Sequence, residues 1–336
     1  ALVTIVIAAA YGIGSEVSLV TEVEPEGPVA EYTDPRSIAV LPFSIDDQGD
    51  DNVDFLASGI QDELLTRLSL IQSLKVTSRT SVERYRDTTA SIPTIARELG
   101  VAQIVEGRVQ RAGDQIRVNI QLINAEEDKH LWADTFDRQF TAGNVFDIQT
   151  EIVEAIAQQL EANITPAETQ QLAAMPTNNL SAYSEYLKGK NLAQTESIES
   201  LTEATTHFKK AIESDPDFAL AHVGLADAYL TLSANFQAGM AAEESTALAE
   251  PLLMRALDIE PDLGEAYASL GLVRQLQNNA EAAERAYRRA MTLRPNYARV
   301  FRLMGRLELD WGDAQEAYEW LQKALELDPY SIPVNF

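Results

Sequence analysis

Two stretches near the C-terminal end decide the fold: AYASLGLVRQLQNNAEAAERAYRRAMTLRP, residues 266–295, and VFRLMGRLELDWGDAQEAYEWLQKALELDP, residues 300–329. Their small and apolar residues recur at an interval of 34 residues. The matching positions are Ala266 with Val300, Tyr267 with Phe301, Leu270 with Met304, Gly271 with Gly305, Ala283 with Ala317, Tyr287 with Leu321, Ala290 with Ala324 and Pro295 with Pro329. This interval predicts repeated pairs of antiparallel helices.

The pattern is typical of tetratricopeptide repeats, which stack into a superhelix with a groove for a partner. Gly271 and Gly305 fall where two helices cross closely, and larger residues fill the remaining gaps. A weaker version of the pattern extends upstream. We therefore predict about four helical pairs over residues 180–336. An insertion near residues 233–242 separates the helices of the second pair, and the chain is expected to stop within a further helix.

Composition limits the classes of function. A chain of 336 residues suggests roughly two or three domains. Its net charge of −26 argues against nucleic-acid binding, because a phosphate backbone is gripped by clustered lysine and arginine. The same charge disfavours docking on anionic lipid headgroups. The absence of cysteine excludes thiol catalysis, disulfides and thiolate metal sites.

The N-terminal residues predict attachment to a membrane. Residues 1–14 are largely apolar but too few to span a bilayer, which takes about 20 residues. We interpret them as the end of a transmembrane helix that starts upstream; the alternatives are a buried strand or the remnant of a signal peptide. Residues 15–36 combine six acidic residues with three prolines. This composition predicts an extended linker and suits the outer side of an inner membrane.

Residues 37–165 predict a compact α/β domain in the order β-α-β-α-α-β-β-β-α. Pro42 ends the first strand, and Gly113-Asp114 predicts a hairpin turn. A short helix is expected to start at Ser81 as its N-cap, and another to end at Gly100. Residues 166–179 are rich in Gln, Ala, Pro and Asn and predict a linker. The whole chain is therefore expected to be an α+β protein, a mixed-sheet domain followed by an all-α solenoid.

Several motifs of this region resemble the TolB-like N-terminal domain. They are SIAVLPF at 37–43, GIQDEL at 59–64, ARELGV at 96–101, VEGRV at 105–109 and LWA at 131–133. The resemblance implies a domain that often precedes tetratricopeptide repeats in membrane-anchored bacterial signalling proteins. Their cytoplasmic part is typically a winged-helix transcription regulator or an adenylate cyclase catalytic domain. The resemblance implies no catalytic residues in this sequence.

The fourth helical pair carries the candidate partner-binding residues. Arg299, Arg302 and Arg306 are spaced by three and four residues, which places them on one stripe of a helix. Arginine suits bidentate capture of carboxylate, so the partner is expected to carry an acidic segment or a free C-terminus. The alternative is a solvated face whose arginines pair with Glu308, Asp310 or other acidic residues. The candidate surface is completed by Leu309, Leu272 and Gln275.

Metal, cofactor and catalytic sites are not predicted. The run of Asp46, Asp47, Asp50, Asp51 and Asp54 lacks the register of a calcium loop, and a solvated loop is the better interpretation. The three histidines, His130, His207 and His222, fall on different elements, and no Walker-type phosphate loop is present.

These features together predict a non-enzymatic protein-interaction and sensing region of a membrane-anchored bacterial regulatory protein. Its soluble part is expected outside the inner membrane, in the periplasm. Two alternatives stay open at this level: the regulatory half of an adenylate cyclase, and an envelope scaffold that does not signal. The oligomeric state is not predicted.

Overall fold

The computed structural model describes residues 34–45, 51–234 and 240–330, with the side chains of 51–54 excluded. In this part of the chain, one mixed sheet has the strand order β3-β1-β4-β5-β6, and β2 pairs with β4 beside it. The strands are β1 Ser37–Val40, β2 Ser44–Ile45, β3 Lys75–Val76, β4 Gln103–Ala112, β5 Gln115–Asn124 and β6 Lys129–Gln139. β1 lies parallel to β3 and β4, whereas β4, β5 and β6 form an antiparallel meander.

Five helices accompany the sheet. They are α1 Asp51–Leu68, α2 Arg79–Glu83, α3 Ile92–Leu99, α4 Ala142–Gln159 and α5 Pro166–Leu172. The predicted hairpin is confirmed: Ala112 pairs with Gln115, and Gly113 adopts a φ of 62°, which glycine tolerates without strain. Gly100 ends α3 with a φ of 66°, also as predicted.

Three local predictions are wrong. Ser81 is not an N-cap, because α2 begins at Arg79 after Ser78, and the Ser81 hydroxyl instead donates to Asp328. The predicted linker 166–179 contains α5, whose Thr165–Glu168 capping box satisfies the first backbone amides of the helix. The aspartate-rich run is not a loop throughout, because Asp51 and Asp54 belong to α1; the rest of that run lies outside the described residues.

Helix α1 is buried on nearly all sides. Every side chain from Phe55 to Leu68 is buried except that of Thr66. The helix packs against β1, β4 and α4 and also against α6, Leu180–Ala193, the first helix of the repeats. A helix surrounded in this way must satisfy its polar side chains internally, because water does not reach them.

The repeats form four consecutive helical pairs in the described part of the chain. After α6 come α7 Ile198–Ser214, α8 Ala219–Ala234, α9 Ala242–Ile259, α10 Gly264–Leu276, α11 Ala280–Leu293, α12 Ala298–Trp311 and α13 Ala314–Leu327. The predicted close crossings are confirmed. A Cβ atom on Gly271 would lie 2.3 Å from the Tyr287 ring, and one on Gly305 would lie 2.7 Å from Leu321. The predicted insertion separates α8 from α9.

The first repeats share one hydrophobic core with the α/β region. Tyr183, Leu187 and Phe208 belong to the same buried cluster as Ile60 and Leu64 of α1. Leu187 fits against Gly59, where an added Cβ atom would lie 2.5 Å from the leucine. The α/β region therefore occupies part of the surface that the first helical pair presents.

No helix within residues 34–45, 51–234 and 240–330 is both long and apolar enough to cross a bilayer. The predicted transmembrane end, most of the acidic linker and the predicted further helix after Tyr330 lie outside the described residues.

Candidate functional site

Arg299 on α12 is held by the repeats themselves. Its guanidinium forms a bidentate ion pair with Asp227 of α8, at 2.7 and 2.8 Å. It also lies 3.3 Å from the hydroxyls of Ser269 and Tyr297. Burial opposes the charge, but the Asp227 carboxylate outweighs it and raises the pKa of Arg299 above its ordinary value. Arg299 thus links α12 to α8 through an ion pair.

Arg302 lies one turn further along α12, and its contacts differ from those of Arg299. Its side chain is half-buried, and it forms no hydrogen bond or ion pair with the described residues. Burial lowers the pKa of Arg302, and the positive charge of Arg299 lowers it further. Attraction by Asp328 and Glu196 opposes this lowering. A half-buried guanidinium without an ion pair is a favourable place for an incoming carboxylate.

Arg306 and Leu309 complete the exposed part of α12. Arg306 is exposed and pairs with Asp310 four residues later, at 3.2 Å. A surface pair of this kind contributes about 0.3–0.5 kcal/mol and is easily exchanged for another partner. Leu309 is 57% exposed, which is unusual for a leucine in this fold. It offers an apolar contact near the arginines.

Leu272 and Gln275 on α10 contribute less to an open surface. Leu272 is half-buried and packs against two clusters of the repeat core. Gln275 is buried, accepts a hydrogen bond from the Tyr287 hydroxyl at 2.7 Å and lies 3.3 Å from Asp310. Within the candidate surface, Arg299 and Gln275 therefore link helices of the repeats to each other. The groups that a partner can reach are Arg302, Arg306 and Leu309.

Two exposed aromatic residues of the fourth helical pair were missed from the sequence. Trp311 at the end of α12 is 48% exposed, and Tyr318 on α13 is 55% exposed. The 34-residue spacing contains the signal, because the preceding pair has Gln277 and Glu284 at the equivalent positions. An aromatic residue where the neighbouring repeat is polar marks a surface that differs from the rest of the solenoid.

A second concave surface lies on the polar face of the sheet. Residues of β4, β5 and β6 face the segment 85–95 across an open cleft of about 1430 Å³. Burial raises the pKa of Glu106, which lies opposite Gln121 in the strand register. The charged lining mixes both signs, so the cleft does not select one ligand charge. Its members are Asp87, Glu106, Asp128 and Asp134 beside Arg86 and Arg108.

An acidic cluster connects α1 with the third helical pair. Glu260, between α9 and α10, is half-buried beside Glu265, Glu63 and Asp262. Each of these neighbours forms an ion pair with an arginine: Glu265 with Arg294, Glu63 with Arg67 and Asp262 with Arg289. Glu260 has no ion pair with any described residue. Burial, followed by repulsion from the three carboxylates, raises the pKa of Glu260 from 4.5 to about 7.

This raised pKa makes stability depend on pH. The folded chain binds the Glu260 proton more tightly than the unfolded chain, so the stabilisation is complete below about pH 4.5 and is lost as the pH rises through about 7. Glu260→Gln removes this charge, so it should raise the free energy of unfolding more at pH 8 than at pH 5. We expect the difference between the two pH values to be about 1–2 kcal/mol, which allows for the partial exposure of Glu260. Urea denaturation of both proteins at the two pH values measures this difference, and equal pH dependence would contradict it.

The described residues contain no group of three or more His, Asp or Glu side chains placed to hold a metal ion. His130 is exposed on β6, whereas His207 lies 2.7 Å from Glu185, and His222 lies 3.0 Å from the carbonyl of Pro216. The three side chains therefore remain on separate elements.

The described chain has a mixed α/β region followed by four helical pairs. Comparison of the sequence with family models supports the repeats directly: residues 269–332 match the tetratricopeptide repeat. Residues 34–159 match the second domain of HilA/YgeH-like transcriptional regulators. The TolB-like domain expected over residues 37–165 overlaps this match and remains a prediction.

Among known proteins, the chain is 31% identical over 250 residues to "Putative adenylate cyclase 3" of Rhizobium meliloti (strain 1021). The match covers 74% of this chain but only 42% of that protein. The solved structure of TTC0263, a thermophilic TPR protein of Thermus thermophilus, covers 57% of this chain and 88% of its own, at 18% identity and a TM-score of 0.40. TolB from Acinetobacter baumannii covers 38% of this chain and 28% of its own, at 19% identity and a TM-score of 0.27.

Proposed function

We propose that this chain is a non-enzymatic protein-interaction region of a bacterial regulatory protein. Its repeats bind a partner polypeptide through Arg302, Arg306 and Leu309 on α12. The observation that carries the proposal is the half-buried Arg302 side chain, which forms no ion pair with any described residue. The match of residues 269–332 to tetratricopeptide repeats supports a binding role rather than a catalytic one.

The chemistry of this surface favours a partner with an acidic segment. One carboxylate forms an ion pair with the half-buried Arg302 guanidinium, and the methylene groups of a neighbouring glutamate cover Leu309. The net charge of −26 opposes the approach of any anion from a distance. Binding is therefore expected to depend on local contact, and salt should weaken the long-range repulsion.

A labelled hexaglutamate peptide tests the proposed site in fluorescence anisotropy. We expect it to bind the wild-type chain and to lose at least about tenfold in affinity with Arg302→Glu, because the substitution replaces attraction with repulsion. Hexaglutamine and hexalysine peptides of the same length test whether the carboxylates are required.

Arg285→Glu is the matched control for this experiment. Arg285 lies on α11 with 71% of its side chain exposed, so the substitution makes the same change in net charge away from the proposed site. Equal loss of affinity in both variants, or no binding of hexaglutamate by the wild-type chain, would overturn the proposal.

The location of the protein is part of the same proposal. The acidic, proline-containing segment 15–36 and the apolar residues before it support a tether that leaves the soluble part outside the inner membrane. The TolB-like motifs support the same location. Protease added to intact spheroplasts should cleave the repeats; complete protection until lysis would contradict this arrangement.

A second candidate function follows from the similarity to the Rhizobium meliloti protein. In that case the region regulates an adenylate cyclase whose catalytic part lies elsewhere in the same protein. Cyclic AMP formation by the full-length protein in cells distinguishes the two. A HilA-like regulator instead predicts altered transcription without cyclic AMP, consistent with the family match of residues 34–159.

A further inference from the structure

The fourth helical pair is attached to the α/β region at both of its ends. Before α12, the side-chain amide of Asn296 donates to the carbonyl of Ile71 at 3.1 Å. Arg294 donates to the Ser69 hydroxyl at 2.8 Å. Both acceptors lie in the segment between α1 and β3. The start of the fourth pair is therefore fixed to the chain immediately before β3.

The end of the fourth pair is fixed immediately after β3. The backbone amide of Ser78 donates to the carbonyl of Leu327 at 2.7 Å. The buried Ser81 hydroxyl donates to the Asp328 carboxylate at 2.6 Å and accepts from the amide of Tyr330. The guanidinium of Arg84 lies 4.1 Å from the centre of the Tyr330 ring.

Strand β3 lies between these two attachments and pairs with the start of β1. Its only strand neighbour in the described sheet is β1. The amide of Lys75 donates to the carbonyl of Arg36 at 3.1 Å, and that of Thr77 donates to Ile38 at 2.9 Å. Arg36 is the last residue of the acidic linker. The fourth pair, β3 and the linker are thus connected by consecutive hydrogen bonds.

We propose that this connection transmits displacement of the fourth helical pair to the N-terminal linker. This inference rests on the proposed function, in which the partner binds α12 of the same pair. A partner that prefers a displaced pair would pull the segments on both sides of β3, and β3 would loosen from β1 at Arg36. Such a signal requires two states of β3, paired and released.

The size of β3 supports this role. The strand has two residues and lies at the sheet edge, so few hydrogen bonds need to break for it to separate. Edge elements with few bonds open locally at lower free energy than the rest of a fold. The attachments at Ser69–Ile71 and at Ser78–Ser81 therefore control how often β3 opens.

Amide hydrogen exchange of the whole chain tests the proposal without a partner. In Ser81→Ala, we expect exchange at Lys75 and Thr77 to accelerate at least about tenfold relative to amides of β4 and β5. Asn296→Ala weakens the other attachment, leaving the Arg294–Ser69 bond, and should act in the same direction, which covers the case in which Ser81→Ala fails to fold.

Thr177→Val is the matched control. Like Ser81, the buried Thr177 hydroxyl donates to an aspartate, Asp215, and accepts from a backbone amide, that of Asn179 at 3.0 Å, but these contacts lie within the first helical pair. Thr177→Val should leave exchange at Lys75 and Thr77 unchanged. Unchanged exchange in both Ser81→Ala and Asn296→Ala, or equal acceleration in Thr177→Val, would overturn the coupling. Because no peptide is added, these outcomes are independent of whether hexaglutamate binds at Arg302.

Discussion

Asp62→Ala is expected to lower the free energy of unfolding by about 3–5 kcal/mol, because it breaks a buried ion cluster by removing the carboxylate that Arg79 and Lys190 share. Asp62 on α1 is 5% exposed and pairs with Arg79 of α2 and with Lys190 of α6, the latter at 3.4 Å. Burial alone would raise the pKa of Asp62, but Lys190 and Arg79 together lower it. Without Asp62, Arg79 keeps its weaker pair with Glu83 at 3.6 Å, and Lys190 loses its ion pair.

Urea denaturation measures this loss, and Asp137→Ala is its control. Asp137 also pairs with an arginine, Arg117, at 2.6 Å, but both side chains are more than half exposed. An exposed pair of this kind contributes far less, because water screens both charges. Similar losses for the two variants would contradict the view that Asp62 joins the repeats to the α/β region.

Arg67→Met is expected to lower the free energy of unfolding by a similar amount, about 3–5 kcal/mol, because it removes the cation of a buried ion pair. Arg67 has 3% of its side chain exposed and pairs with Glu63 at 3.1 Å. Its guanidinium also donates to Thr150 of α4 and to the carbonyls of Leu172 and Ala174. Methionine preserves most of the volume but leaves Glu63 charged and unpaired, and both carbonyls lose a donor.

The control for this substitution is Arg117→Met at the exposed pair of β5. Denaturation followed by circular dichroism should show a much smaller change there, because water screens the exposed pair. We also expect Arg67→Met to release α5, because its C-terminal carbonyls accept from this side chain. Retained protection of the α5 amides in Arg67→Met would contradict that role.

The repeats were predictable because their packing is periodic. Gly271 against Tyr287 and Gly305 against Leu321 are contacts within one helical pair, so a fixed spacing in the sequence specifies them. The hairpin at Gly113 was predictable for a similar local reason, since a two-residue turn needs a residue that accepts positive φ.

Contacts between distant segments were not predictable in this way. The apolar spacing of α1 predicted one buried face, but the structure also buries Asp62, Glu63 and Arg67, whose partners come from α2, α4, α5 and α6. Likewise, the stripe of three arginines was visible, but the pairing of Arg299 with Asp227 joins residues 72 positions apart. Which arginine stays unpaired depends on the superhelix that brings α8 beside α12.

Fluorescence from a single label at the proposed site tests the partner-binding surface most directly. The chain has no cysteine, so Leu309→Cys and Leu248→Cys each provide one labelling position, on α12 and on α9. With an environment-sensitive label, hexaglutamate should change the emission at 309 but not at 248, and adding Arg302→Glu should abolish the change. No response at 309, or the same response at both positions, would contradict binding at this surface.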